Sequence, residues 1–110
     1  MFIRLFIKTI DNIIATETVK NVLSHIPSEF ISKVDVKIEP YWKFDDVLVA
    51  ELKIELSREL NDEVINDFLY SISNNWMFLG YENSEALSSH TMENCILKYS
   101  LEMIDVHFLD

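Results

Sequence analysis

"VDVKIEPYWKF", residues 34–44, and "LVAELKIEL", residues 48–56, decide the fold between them. In the first, Val34, Val36, Ile38, Pro40, Trp42 and Phe44 share one parity, and Asp35, Lys37, Glu39, Tyr41 and Lys43 share the other. In the second, Leu48, Ala50, Leu52, Ile54 and Leu56 alternate with Val49, Glu51, Lys53 and Glu55. A period of two residues marks β-strands, and two such runs this close together mark an antiparallel hairpin. Pairing Phe44 with Leu48 joins the apolar faces and sets Trp42 opposite Ala50. It also sets Glu39 opposite Lys53 and Lys37 opposite Glu55, each pair worth up to ~1 kcal/mol. A slip of one residue would place Lys43 against Leu48, so that register loses. Trp42 and Phe44 are therefore expected on the buried face, Tyr41 on the charged face, and Asp45-Asp46-Val47 in the loop. Pro40 cannot donate to a ladder and marks a bulge or an edge.

The charged face of both strands sets the architecture. Strands covered on both sides are apolar at every position, so this sheet is expected to carry helices on one face and leave the other open. Working outward, "FIRLFIKTI" (residues 2–10) alternates as a first strand, with Phe2, Arg4, Phe6 and Lys8 on its open side. Ala15, Val19, Val22, Leu23 and Ile26 then form one helical stripe, with Asp11 or Thr16 as cap and Pro27 as stop. A second helix follows Leu60, with Asn61 as cap and Val64, Ile65, Phe68, Leu69 and Ile72 as its stripe. Asn74-Asn75 ends it. "WMFLGYE" (76–82) reads as a strand, "NSEALSSH" (83–90) as a polar loop, and "TMENCILKYSLEMIDVHFL" (91–109) as one or two strands with a break near Met103-Ile104. The expectation is an α+β, ferredoxin-like two-layer sandwich: β-α-β-β-α-β plus one extra C-terminal strand, in a single domain over residues 1–110.

Composition narrows the function classes. One glycine and two prolines in 110 residues exclude linkers and a glycine-rich phosphate loop. No apolar run approaches the ~20 residues of a membrane span, and Lys8 and Asp11 interrupt the start where a secretory leader stays apolar. With a single cysteine, Cys95, the chain is expected to be cytoplasmic and reduced. The net charge of −10 is uneven. Residues 1–55 carry nine acids against seven bases; residues 56–110 carry ten acids against only Arg58 and Lys98. That balance excludes a bare nucleic-acid backbone as ligand and favours a cationic protein as partner.

Catalytic and metal chemistry find no motif. His25, His90 and His107 lack metal-ligand spacing on any one element, Cys95 reads as a buried, inert thiol, and the Ser89-His90 neighbours are no nucleophile–base pair. The chain is accordingly expected to be no enzyme and to need no cofactor or metal.

The acidic cluster is the unusual feature. Glu59, Asp62, Glu63 and Asp67 gather at the start of the second helix, where Glu63 and Asp67 repel at i,i+4 spacing. Glu82, Glu85 and Glu93 bracket the long loop and are expected to approach them. The segment "ELNDEVINDF" (59–68), the aromatic "PYWKF" (40–44) and the chain's size resemble the small acidic immunity proteins that bacteria keep against their own secreted nuclease toxins. That resemblance implies occlusion: carboxylates mimic phosphates and pair with the toxin's Lys and Arg, with exposed aromatics as anchors. The expected partner-binding residues are Glu59, Asp62, Glu63, Asp67, Glu82, Glu85 and Tyr41. The competing expectation is a homodimerising or ligand-sensing module that uses the open sheet face around Phe2, Phe6 and Tyr41.

Overall fold

The computed structural model describes residues 1–109. Six strands, β1 (Phe2–Ile7), β2 (Ile31–Pro40), β3 (Leu48–Leu56), β4 (Met77–Leu79), β5 (Glu85–Ser89) and β6 (Leu101–His107), form one sheet in the order β2-β3-β1-β6-β5-β4. Every neighbouring pair is antiparallel. Helices α1 (Asn12–Leu23) and α2 (Asp62–Ile72) complete an α+β fold.

Both helices begin where the capping chemistry places them. The Asp11 carboxylate accepts from the Ile13 N–H at 2.8 Å, and the Asn61 side chain accepts from the Val64 N–H at 2.9 Å. Their stripes bury Ala15, Val19 and Val22 from α1 and Phe68, Leu69 and Ile72 from α2. These pack in one core with Ile3, Leu5 and Ile7 of β1, Ala50, Leu52 and Ile54 of β3, and Ile104 and Val106 of β6. The opposite parity carries Arg4, Glu51, Lys53, Asp105 and His107 on a face without helices, as the hairpin's charged face requires.

Trp42 and Phe44 depart from expectation. Trp42 is 88% exposed and Phe44 is exposed as well. The β2–β3 ladder ends at Pro40↔Leu48, with Ile38 opposite Ala50, Lys37 opposite Glu51 and Asp35 opposite Lys53. Residues 41–47 form a longer loop, closed by a Tyr41 N–H that donates to the Val47 carbonyl at 2.9 Å. The physical reason lies in the position of β2. It is an edge strand on which the helices barely lean, and even Val36 on its inward face is 46% exposed. Extending the strand to Trp42 would have met no covering layer, so burial did not reward it.

The C-terminal half corrects three further expectations. "NSEALSSH" contains strand β5, so the loop reading is wrong. The added strands precede the last one and lie at the far edge as a β4-β5 pair, not at the C-terminus. Cys95 lies in an irregular segment, residues 90–100, not in a strand. Asn74 and Asn75, which stop α2, also hold that segment: Asn74 donates to the Asn94 carbonyl and accepts from the Ile96 N–H, and Asn75 donates to the Glu93 carbonyl. Asn94, Tyr99 and Ser100 adopt left-handed backbone there.

His25, just past α1, has its Nε2 2.6 Å from the Tyr99 hydroxyl. Burial, aided by Lys98, pulls its pKa below the ordinary histidine range. A base whose folded pKa is depressed binds fewer protons folded than unfolded, so stability rises with pH. Its contribution is complete above the unfolded value of about 6.5 and is lost as pH falls below it. The expected result is that His25→Gln loses less thermal stability than wild type between about pH 7.5 and about pH 5.5. Equal losses in the two proteins would remove His25 from the pH response.

Candidate functional site

The fold distributes the expected site residues over two surfaces. Glu59, Asp62, Glu63, Asp67 and Glu82 are all exposed, and among the described residues none of them forms an ion pair. Arg58, the base nearest in sequence, is taken by Glu29. Asp62 and Glu82 line one groove of about 480 Å³ between the start of α2 and the turn after β4. Its apolar lining includes Ile65, Phe78, Tyr81 and Phe108, and among the described residues no basic side chain lines it. The expected approach of Glu82 to the helix acids is therefore present. Gly80 (φ 80°) and the left-handed Glu82 and Asn83 (φ 54° and 55°) build the turn that carries it. Left-handed backbone at a non-glycine residue costs roughly 1–3 kcal/mol and persists where surrounding structure enforces it. Tyr81 beside it is exposed, as are Phe78 and its β4 neighbours Met77 and Leu79.

Glu85, Glu93 and Tyr41 do not line this groove. Glu85 was expected beside the acidic cluster but belongs to the open sheet face, the face on which Tyr41 was expected and lies. Tyr41 packs edge-on against Phe6, with ring centroids 5.1 Å apart, and so buries the phenylalanine that was expected to be presented. Together with Phe44 and Met103 these rings line a second cavity of about 500 Å³. Lys8, Lys43 and His90 stand around it, and Glu102 engages two of them, with His90 at 2.7 Å and Lys8 at 3.6 Å.

At the opposite end of β1, Glu85 meets a constellation that the sequence reading missed. In the β5–β6 register Glu85 faces His107, and Leu87 faces Asp105. The His107 ring lies 3.4 Å from Glu85 through Nδ1 and 3.1 Å from Asp105 through Nε2. Asp105 Oδ1 is enclosed and, among the described residues, has no hydrogen-bond partner. One ligating atom from each of the three residues lies within 4.8 Å of the others, the donor set of a metal ligand group. A legible signal existed in Asp105-Val106-His107, since i and i+2 share a strand face. Glu85 was hidden because its strand had been read as a loop.

Cys95 is half-buried among hydroxyls. Its sulfur lies 3.2 Å from Ser88 Oγ and 3.4 Å from Ser73 Oγ, and those two oxygens are 2.6 Å apart. The Asn75 carbonyl accepts from Ser88 at 2.7 Å. No base lies among these partners, so the cluster does what satisfied buried polar groups do and fixes the α2–β5 packing. Among the described residues, no helix is long and apolar enough to cross a membrane. No protein-family model, curated protein or solved structure matches the chain.

Proposed function

We propose that the chain is an acidic protein-binding module, and specifically an immunity protein that occludes a basic partner such as a bacterial nuclease toxin. The observation that carries this reading is the groove where Asp62 and Glu82 line the same wall as Phe78, Tyr81 and Ile65, with no cationic side chain among the described lining residues. Unpaired carboxylates beside exposed aromatics suit a partner that supplies Lys or Arg for the rim and an apolar side chain for the floor. Glu59, Glu63 and Asp67 extend the same negative field and would speed encounter. The module acts without catalysis, in the cytoplasm. We read the order β2-β3-β1-β6 as a ferredoxin-like sandwich to whose β6 edge the β5-β4 pair has been added.

A second reading rests on a separate observation, the aromatic cavity of the open face. Phe6, Tyr41, Phe44 and Met103 beside Lys8 and Lys43 suit a flat, anionic small molecule, or the same face of a second copy.

Partner charge separates the two. Co-expression with nuclease-toxin domains of basic charge should protect cells in the cognate case. The association rate measured on that pair should fall at least ~10-fold as salt is raised from low to high ionic strength. Failure to protect against any of them, combined with a salt-insensitive homodimer by sedimentation, would discard the immunity reading in favour of the module.

A further inference from the structure

We propose that Glu85, Asp105 and His107 form a binding site for a divalent transition-metal ion of the zinc type. This inference is independent of the acidic groove, which lies elsewhere. It begins with the backbone. Antiparallel pairing of β5 and β6 puts Glu85 directly opposite His107, and Asp105 precedes His107 by two residues on the same face. The three side chains thus rise from hydrogen-bonded strands rather than from a loop, and their relative positions are set by the sheet.

The chemistry of the donors selects the ion. A nitrogen with two carboxylate oxygens suits zinc and its neighbours, whereas magnesium and calcium favour sets made of oxygen alone. Two carboxylates and a neutral imidazole carry a charge of −2, which one divalent ion cancels. Around tetrahedral zinc, ligand atoms sit about 3.3 Å from one another, given bonds of about 2.0–2.1 Å. The 3.1 Å between His107 Nε2 and the Asp105 carboxylate is already close to that value. Each carboxylate is near a different ring nitrogen, so side-chain rotation must bring the chosen donor atoms together from a spacing within 4.8 Å. The strands need not move.

Two observations point to a cation rather than to a closed hydrogen-bond cluster. Asp105 Oδ1 is enclosed with no donor among the described residues, and a buried oxygen left unsatisfied is costly. The nearest fixed cation in register, Arg4 opposite Asp105, is turned to other partners. Its guanidinium bonds Glu51 at 3.3 Å and lies over the Phe2 ring, and among the described residues it makes no ion pair with Asp105. Three protein ligands leave a position open for water or for a fourth ligand from a bound partner.

The test is calorimetric titration of the purified, chelator-treated full chain with zinc chloride. One ion per chain should bind, and a free zinc concentration of about a hundred times Kd should raise Tm by roughly 10 °C. His107→Gln and Asp105→Asn should each weaken binding about a hundredfold or more. His25→Gln, His90→Gln and Cys95→Ser should leave it unchanged. Cobalt added to wild type supplies a readout that needs no variant: visible absorption of a tetrahedral site, with the ring resonances of His107 shifted or broadened. Absence of zinc binding tighter than about 100 μM overturns the proposal, because a site assembled by the fold binds more tightly than scattered surface ligands. Binding lost in the His90 or Cys95 variants but kept in the His107 variant overturns it equally.

Discussion

Replacing Trp76 with alanine should destabilise the protein by about 3–5 kcal/mol in urea denaturation, whereas Trp42→Ala should change stability by no more than about 0.5 kcal/mol. The two tryptophans differ in what surrounds them. Trp76 is 7% exposed, and its indole N–H donates to the Leu69 carbonyl at 2.9 Å and the Ser73 carbonyl at 3.2 Å. The Leu69 carbonyl also accepts from the Ser73 N–H at 3.1 Å, so truncation opens a cavity and chiefly deprives the Ser73 carbonyl at the end of α2 of its donor. Trp76→Phe should isolate the hydrogen-bond share, at about 1–2 kcal/mol. Trp42 touches only Tyr41 among the rings, with centroids 5.8 Å apart. In a Trp76→Phe background its emission should be red-shifted and readily quenched by iodide. A Trp42→Ala cost above about 3 kcal/mol would return residue 42 to the core.

The misread tryptophan shows why the register was not legible. Along the open face the charges of β2 alternate as Lys33, Asp35, Lys37, Glu39, and those of β3 as Glu51, Lys53, Glu55. Opposite charges therefore meet again after every four-residue slip, and an even slip also keeps the apolar faces together. The expected and observed registers differ by four residues, so both tests passed for the wrong one. What decided between them was the reach of the helices over the sheet, a tertiary fact. The helices themselves were legible because Asp11 and Asn61 cap locally and the apolar stripes are continuous. β5 was illegible for the opposite reason. Its inward residues are Ala86 and Ser88, and Ser88 is wholly buried because Ser73 and the Asn75 carbonyl satisfy its hydroxyl. Without β5, the partnership of Glu85 with His107 had no place to appear. The acidic groove was half legible: the helix acids follow from composition, whereas Glu82 joins them only because a left-handed turn after Gly80 brings it back toward α2.

Reversing Asp62 and Glu82 to lysine should slow association with a basic partner and weaken binding by about 2–5 kcal/mol if those carboxylates are desolvated in the complex. Folding should survive the change. Both side chains are exposed, neither has an ion pair among the described residues, and the α2 core contacts come from Phe68, Leu69 and Ile72. Placing a cation in the first turn of α2 forfeits a favourable dipole interaction of about 0.3–1 kcal/mol, small beside the binding effect. The matched control is Asp35→Lys with Glu39→Lys on β2, at the far edge of the sheet. It disrupts the Lys33–Asp35 and Lys37–Glu39 pairs, 3.7 and 2.7 Å apart, which are solvent-exposed and therefore weak. Both double variants reduce the negative charge equally, so a purely long-range attraction would slow both by similar factors. A larger loss in the groove variant, concentrated in the dissociation rate, marks direct contact there. If the β2 variant loses binding and the groove variant keeps it, the carboxylates of α2 serve only to solvate the helix, and the partner sits on the open sheet.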